Sequence, residues 1–340
     1  MSAHIIGGRQ IRRRRGAPRI VALGGGQGLS ASLSALRRLT GELTAVVTVA
    51  DDGGSSGRLR AELGVLPPGD LRKALAALCG DDEWGRTWSE VIQHRFQSNG
   101  DLHGHAVGNL LIVALWEKLG DPVEALAYVG RLLGAHGRVL PMSAVPLDIE
   151  ATVRGLDPAF PERMDTVRGQ AEVAVTPGEV ESVRLLPQDP PAVPEAVEAV
   201  LEADWVVLGP GSWFTRVLPH LMVPQLLTAL VEARARKVLA LNLVAQPGET
   251  EGFSPQRHLE VFGAHAPELT VDFVLADKEA VADAEALRSA AKRLGAELVL
   301  DDVAAVEPGT RVPSGRHDPE LLAAAYDRIF RMHGRIAPWR

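Results

Sequence analysis

The sequence has very little cysteine, since Cys79 is the only one among 340 residues. A single cysteine excludes an intramolecular disulfide framework and any metal site built from cysteines alone, and we expect this thiol to be buried and inert. Long apolar runs are also absent: the longest, Leu110–Trp116, is far shorter than the roughly 20 residues that a helix needs to cross a bilayer. No apolar segment of secretory type stands near the N-terminus, so we expect a cytoplasmic protein without a membrane span.

Lysine is scarce in this chain, whereas arginine is plentiful. Lysine occurs only five times, and the formal net charge is −7 at neutral pH, so the protein as a whole is not expected to bind nucleic acid. One run of four consecutive arginines, Arg12–Arg15, stands among glycine, serine and proline. This run predicts a disordered basic tail over residues 1–18, or a segment that binds anionic lipid or nucleic acid weakly, with the ordered chain beginning at Arg19.

Strand and helix patterns alternate from Arg19 onwards. Short apolar runs predict strands at Ile20–Leu23, Leu43–Ala50, Asp204–Leu208, Lys237–Val244, Val271–Ala276 and Glu297–Leu300. Helical spacing predicts helices at Ser30–Leu39, Leu71–Leu78, Trp84–Phe96, Asn109–Leu119, Pro122–Leu133, Pro224–Arg236, Pro255–His265 and Ala282–Leu294. This order predicts an α/β protein, with a Rossmann-like, doubly wound and mostly parallel sheet in one domain over residues 19–333.

Three details of these helices lead to specific predictions. Asp70 follows a rigid Leu-Pro-Pro-Gly turn and is placed as the N-cap of its helix, while Asp318-Pro319 is placed at the start of a final helix. The helix Asn109–Leu119 is apolar nearly all round, so we expect it inside the protein.

Residues 137–187 have a different character. They contain short alternating runs bounded by proline and glycine, namely Arg138–Met142, Val145–Val153, Val167–Thr176 and Val180–Leu186. Alternation of this kind predicts antiparallel strands inserted into the main sheet or at its edge.

Two adjacent carboxylates follow the second predicted strand. Asp51 and Asp52 are succeeded by a turn that contains Gly53, Ser55 and Ser56. Open α/β sheets bind ligands beyond the carboxyl ends of their strands, and carboxylates there suit a divalent cation such as Mg²⁺ or ribose hydroxyls. The N–H groups of the turn could hold an oxyanion. The alternative is an Asp-capped loop without a ligand.

A glycine-rich turn follows the first predicted strand and matches neither of two well-known phosphate-binding motifs completely. A P-loop needs lysine after its last glycine, and a dinucleotide fold would need a third glycine at position 29, but Leu29 stands there. Four glycines are more than a tight turn requires, so we predict a nucleotide contact over the following residues: Gly24, Gly25, Gly26, Gln27, Gly28 and Leu29.

Further polar loops follow other predicted strands or open a helix. Right-handed crossovers bring such loops to one edge of a parallel sheet, which predicts a shared binding face. The candidate residues are Asn109, Gly209, Gly211, Ser212, Asn242, Gln246, Glu249 and Thr250. Ser212 and Asn109 could each cap a helix or contact the ligand. His103 and His105 have no further ligand at recognisable spacing, so we expect hydrogen-bonding roles for them.

These motifs together resemble a known family. The residues that carry the resemblance are Gly24 to Ser30, Thr48 to Arg60, Pro67-Pro68-Gly69-Asp70, Gly104-His105, Gly108-Asn109-Leu110, Gly209 to Ser212 and Gln246 to Thr250. The sequence is similar to the YvcK group, or gluconeogenesis factors, especially their actinobacterial members, and to the related CofD enzymes, which are 2-phospho-L-lactate transferases.

The resemblance implies a nucleotide on the strand-end face. In YvcK proteins this ligand is UDP-N-acetylglucosamine, and their role is to coordinate carbon metabolism with cell-wall synthesis and cell shape. We therefore expect a nucleotide-sugar-binding regulator that has no activity as an enzyme. The alternative is a CofD-like transferase that moves a phospholactyl group from a nucleoside diphosphate to a deazaflavin alcohol with Mg²⁺, with Asp51 and Asp52 at the reaction centre. An NAD-type oxidoreductase is a third, weaker alternative.

Arg316 is the predicted cation for the nucleotide's diphosphate. It precedes the helix start at Asp318 and matches the arginine that the resemblance assigns to the sugar nucleotide, although it could instead be a surface arginine that neutralises Asp318. A planar guanidinium can bind phosphate through two parallel hydrogen bonds. Expected partners are the nucleotide and a regulated enzyme of cell-wall precursor supply, and a homodimer is a further expectation.

Overall fold

The computed structural model describes residues 16–332 except 247, 308 and 310–312. Arg12–Arg15, on which the predicted basic tail depends, lies outside the described residues. The strands are β1 Ile20–Gly24, β2 Leu43–Val47, β3 Arg138–Pro141, β4 Asp148–Arg154, β5 Met164–Arg168, β6 Glu179–Leu186, β7 Trp205–Leu208, β8 Arg236–Ala240, β9 Phe273–Asp277, β10 Glu297–Asp301, β11 Ala304–Val306 and β12 Pro313–His317.

The helices cover both faces of the main sheet. They are α1 Gly26–Leu36, α2 Gly54–Leu63, α3 Pro68–Ala77, α4 Glu83–Gln93, α5 Val107–Leu119, α6 Pro122–Leu133, α7 Gln170–Val173, α8 Pro194–Glu202, α9 Pro224–Glu232, α10 Pro255–His265, α11 Ala284–Arg293 and α12 Pro319–Arg331. A π-helix, Trp213–Val217, and a 3₁₀-helix, Leu218–Met222, follow β7.

The main sheet has seven parallel strands in the order β10-β9-β8-β7-β1-β2-β3. Every residue of β1, β7 and β9 is buried, as expected for parallel strands that are covered by helices on both faces. The chain leaves β1 towards β2 and β3, and later continues from β7 in the opposite direction. This confirms the doubly wound, mostly parallel sheet and puts the reversal of strand order between β1 and β7, where ligands bind in such sheets.

The inserted antiparallel sheet is smaller than predicted. β4 pairs with both β5 and β6, and the three strands form a separate sheet. The prediction that Arg138–Met142 is antiparallel was wrong, because β3 pairs in parallel with β2 at the end of the main sheet. Much of the run Val167–Thr176 is the short helix α7, and the insertion therefore spans residues 148–186.

Three helix predictions also need correction. α1 begins at Gly26, four residues before the predicted start, and α2 begins at Gly54, inside a segment that was predicted as a turn. Asp70 is not an N-cap, because α3 begins at Pro68 with Pro67 as its cap, and the Asp70 side chain forms ion pairs instead. The predictions placed the glycine and proline residues in turns before the helices. Both residue types are tolerated in the first turn of a helix, and here they lie inside it.

The helix α5 is only partly inside the protein. Its buried residues are Gly108, Asn109, Ile112 and Val113, whereas Ala114 is exposed. The prediction of a fully buried helix was therefore wrong, because the packing of α3, α4 and α6 against α5 leaves part of its surface exposed. By contrast, the predicted start of the last helix is confirmed, since the Asp318 carboxylate accepts hydrogen bonds from Glu320 N and Leu321 N.

Within the described residues, no single helix is long and apolar enough to cross a membrane. Two consecutive helical segments, Trp213–Met222 and Pro224–Glu232, are together long and apolar enough by length and composition, but the chain bends by 78° between them.

Candidate functional site

Two glycine turns meet where the strand order reverses. The turn after β1 leads into α1, and the turn Gly209-Pro210-Gly211 follows the neighbouring strand β7. A side chain on Gly28 would place its Cβ only 2.2 Å from the Pro210 carbonyl oxygen, so glycine is required for α1 to pack against this turn. The close neighbour of Gly28 is therefore protein backbone.

Two further glycines of this turn, Gly25 and Gly26, have the same kind of explanation. A Cβ on Gly25 would lie 2.7 Å from a carboxylate oxygen of Asp70, and one on Gly26 would lie 2.8 Å from Arg216 Nε. Gly26 also has φ +62°, in the left-handed region that favours glycine. Leu29 is buried in the core. The structure thus explains these positions by packing, and a ligand contact at the backbone of this turn stays a prediction.

A buried ion-pair cluster lies directly beneath this turn. The Asp70 carboxylate accepts a hydrogen bond of 2.9 Å from Arg216 Nε and another of 2.9 Å from Lys73 Nζ. Burial alone would raise the pKa of Asp70, but the charges of Arg216 and Lys73 more than offset it and hold this pKa below its ordinary value. Arg216 Nη1 donates a further hydrogen bond to Ser212 Oγ, so Arg216 links the segment after the second glycine turn to Asp70 on α3.

Asp51 and Asp52 contact different parts of the protein, although they are adjacent in sequence. Asp51 accepts from Gly53 N, and burial together with the nearby charge of Asp70 raises its pKa. Asp52 accepts a hydrogen bond of 2.9 Å from Ala171 N and thereby links the loop after β2 to α7 in the insertion. Only Asp51 belongs to the charge cluster.

A second polar network lies beside α2. Ser55 Oγ accepts a hydrogen bond from Asn109 Nδ2 at 3.0 Å and lies 3.1 Å from His105 Nδ1. Arg72 Nε donates to Asn109 Oδ1. Asn109 is fully buried and is not the N-cap of α5, which is Ala106. The prediction that Asn109 caps its helix was therefore wrong, because its amide joins α2 to α3, and a ligand contact of Asn109 stays a prediction.

The loops after β7 and β8 fix one another. The side-chain amide of Asn242 donates to Gly211 O and accepts from Gly211 N, both at 2.9 Å. In the following loop, Gln246 N donates to Thr250 Oγ1, and Glu249 accepts a hydrogen bond of 2.7 Å from Thr215 Oγ1. These contacts hold the polar loops in place beside the sheet edge.

Glu249 and Thr250 are both buried. Burial raises the pKa of Glu249, and its second carboxylate oxygen has no hydrogen-bond partner among the described residues. Ser212 is the N-cap residue of the π-helix, but its side chain accepts from Arg216 and makes no cap bond.

A cavity of about 340 Å³ opens beside these loops. Among the predicted site residues it is lined by Gln27, Gly28, Gly211, Asn242, Gln246 and Arg316. Arg316 lies on β12 and is exposed, and with the described residues it forms no ion pair. The carboxylate of Asp318 caps α12 instead, so the alternative of an Arg316–Asp318 pair is not observed.

The polar residues at this edge do not form an evident metal site. Within the described part of the chain, no group of three or more His, Cys, Asp or Glu side chains has an arrangement that could hold a metal ion. Asp70 is occupied by two cations and Asp52 by a backbone N–H. A Mg²⁺ ion at Asp51 and Asp52 stays a prediction, because one or two carboxylates with water ligands can hold this ion.

Sequence reasoning missed the residues that organise this edge. Arg216 and Lys73 were not singled out, and Asp70 was given the wrong role. The position of Arg216, four residues after Ser212 in the segment that follows the second glycine turn, was the available signal. The hairpin of β11 and β12, which carries Arg316, was not predicted either.

Comparison with known proteins identifies the family. The model of the family described as 2-phospho-L-lactate transferase CofD matches residues 20–315. The chain therefore belongs to the CofD family. Among relatives, a "Putative gluconeogenesis factor" of Mycobacterium tuberculosis is 57% identical over 313 residues, which are 91% of this chain and 90% of that one. The gluconeogenesis factor of Listeria monocytogenes is 35% identical over 318 residues, covering 91% of this chain and 94% of its own.

Solved structures support the same grouping. A crystal structure of a UPF0052 family member from Bacillus halodurans superposes with a TM-score of 0.78 at 33% identity, covering 90% of this chain and 97% of that one. The resemblance to gluconeogenesis factors and CofD proteins inferred from the motifs is thus confirmed, and so is the fold.

Proposed function

We propose that this CofD family member is a regulator that binds a nucleotide sugar, with UDP-N-acetylglucosamine as the expected ligand. Binding would report the supply of cell-wall precursors and link carbon metabolism to cell-wall synthesis and cell shape. The observation that carries the proposal is the cavity at the switch point of the sheet, where Arg316 lies without an ion pair to any described residue.

The size and chemistry of this cavity suit a nucleotide. A volume of about 340 Å³ lies within the ~300–1,000 Å³ typical of small-molecule sites. Gln27 and Gln246 supply amide groups for a base or ribose, and the Arg316 guanidinium can form two parallel hydrogen bonds to a phosphate. Because the cavity lies beside the N-terminus of α1, the helix dipole also favours negative charge there.

The state of the carboxylates favours binding over catalysis. Asp70 is neutralised by Arg216 and Lys73, and Asp52 is bonded to the backbone of Ala171. Among the carboxylates of the first two strand-end loops and α3, this leaves Asp51 available to a transferase. The gluconeogenesis factor names of the relatives support a regulator, and the transferase name of the family model supports the alternative.

Calorimetric titration tests the ligand. We expect UDP-N-acetylglucosamine to bind with a measurable enthalpy, and GDP and NAD to bind at least tenfold more weakly, a difference of about 1.4 kcal/mol. UDP alone serves as a control that separates the nucleoside diphosphate from the sugar. Tight binding of NAD or GDP with none of the UDP-sugar would overturn the assignment.

A turnover assay tests the choice between regulator and enzyme. The protein is incubated with a phospholactyl nucleoside diphosphate, a deazaflavin alcohol and Mg²⁺, and the product is followed by chromatography. We expect no turnover. Product formation that disappears in Asp51→Asn would establish the transferase and overturn the regulator.

A further inference from the structure

An apolar groove lies between α8 and α9, away from the nucleotide cavity. Its volume is about 760 Å³, and its lining includes Val197, Leu201 and Ala229. Leu201 is 45% exposed, although leucine is usually buried. A surface of this kind is suited to an apolar partner.

The charged residues of the groove are all acidic. Glu198, Glu202 and Glu232 line it, and no lysine or arginine is among the described residues of its lining. A segment that fills the groove must therefore combine apolar side chains with positive charge. The chain begins with such a segment, because Ile5, Ile6 and Ile11 are followed by Arg12–Arg15.

The described chain begins at one end of this groove. Arg19 Nη1 bonds Glu202 Oε2 at 3.0 Å, and Arg19 N bonds the carboxylate of Asp204. Residue 16, the first that is described, is three positions earlier, a distance of about 10 Å in extended chain. The nine-residue helix α8 is only about 13–14 Å long, so fifteen preceding residues can span the groove.

We propose that residues 1–15 bind in the groove between α8 and α9 of their own chain. The isoleucines would cover its apolar floor, and the arginines would pair with Glu198 and Glu232, as Arg19 already pairs with Glu202. Because the segment is tethered, its effective concentration is about 1 mM, and an intrinsic dissociation constant of about 0.1 mM would keep it bound about ten times more often than free.

Carboxyl labelling of the full chain tests this proposal. Glycine ethyl ester is coupled to exposed carboxylates with a carbodiimide, and labelling rates are read by mass spectrometry. Two variants are compared with the parent: one has Arg12, Arg13, Arg14 and Arg15 changed to Gln, and the other has Ile5, Ile6 and Ile11 changed to Ser. Glu320 on α12, whose side chain is 82% exposed, is the internal reference.

We expect labelling of Glu198 and Glu232 to rise severalfold in both variants, and labelling of Glu320 to stay unchanged. Equal rates in all three proteins would overturn the proposal and leave the groove open to a different molecule. Protection that increases with protein concentration would also overturn it, because the occupant would then be a second copy. A rise in the arginine variant alone would mean a general charge effect and would contradict binding in the groove.

Discussion

Arg216 and Arg316 lie at the same edge of the sheet but in opposite circumstances. Arg216 is held by the buried carboxylate of Asp70 and by Ser212, beneath the first glycine turn. Arg316 stands at the mouth of an open cavity and forms no ion pair with the described residues. A buried ion pair is costly to break, because removing one partner leaves the other charge uncompensated, whereas a cation without such a partner is free for an incoming anion.

The comparison predicts that the ion pairs of Asp70 with Arg216 and Lys73 contribute more to folding stability than to ligand affinity. Asp70→Asn removes the charged partner of Arg216 and should lower the free energy of unfolding by about 3–5 kcal/mol, since breaking a buried ion pair leaves a charge uncompensated. Urea unfolding measures this change. The matched control is Asp327→Asn, which breaks the exposed Arg331–Asp327 pair and should cost no more than about 1 kcal/mol. Equal losses in the two variants would contradict the structural role of the cluster.

The contact between the two glycine turns is the next largest expected effect. Gly28→Ala places a methyl group against the Pro210 carbonyl, so the turns must separate, at a cost of about 1–3 kcal/mol for overpacking. Thermal and urea unfolding measure the loss. Gly100→Ala is the control, because its added Cβ would meet no atom within 4 Å. Full stability of the Gly28 variant would show that the turns are not packed as described.

The smallest expected effect concerns Asp51 and Asp70, whose ionisation should change the stability of the fold with pH in opposite directions. Asp51 has a raised pKa in the folded state, so ionisation costs stability as pH rises from about 3.8 through that pKa. Asp70 has a lowered pKa, so it contributes stability above about pH 3.8 that is lost as pH falls through the lowered value. Asp51→Asn should therefore leave stability at pH 7 unchanged or raise it by about 0.5–1 kcal/mol.

Unfolding curves from pH 3 to pH 7 check this difference. As pH rises, the free energy of unfolding of Asp51→Asn should increase relative to that of the parent. That of Asp70→Asn should decrease relative to the parent over the same range. If both variants changed in the same direction with pH, the opposite pKa shifts would be wrong.

The sequence predicts the main sheet better than it predicts the contacts between charged side chains. The parallel sheet and its polar edge could be predicted from apolar runs that end in turns and alternate with helical segments, because such a run is a local pattern in the sequence. The pairing of Asp70 with Arg216 spans 146 residues and left no local signal. Asp51 and Asp52 looked like a pair because they are adjacent, but Asp51 accepts from Gly53 N within its own loop, whereas Asp52 accepts from Ala171 N on α7.

The glycines illustrate the same limit. Four glycines in one turn suggested room for a ligand, and the structure shows that protein atoms of Asp70, Arg216 and Pro210 come close to three of them, Gly25, Gly26 and Gly28. A glycine's sequence position indicates close approach but does not identify what approaches. By contrast, Arg316 was selected for its charge and its place before a helix, and the structure leaves its guanidinium available in a cavity.

The most direct test of the central claim is the affinity of Arg316 variants for UDP-N-acetylglucosamine at fixed ionic strength. Arg316→Ala should weaken binding by about 10–100-fold, or about 1.5–3 kcal/mol for a charge-assisted hydrogen bond, and Arg316→Lys should restore only part of it because a point charge cannot form the planar fork. Arg293→Ala, on the exposed surface of α11, is the matched control and should bind like the parent. Parent-like affinity in Arg316→Ala would contradict the claim that this arginine holds the nucleotide.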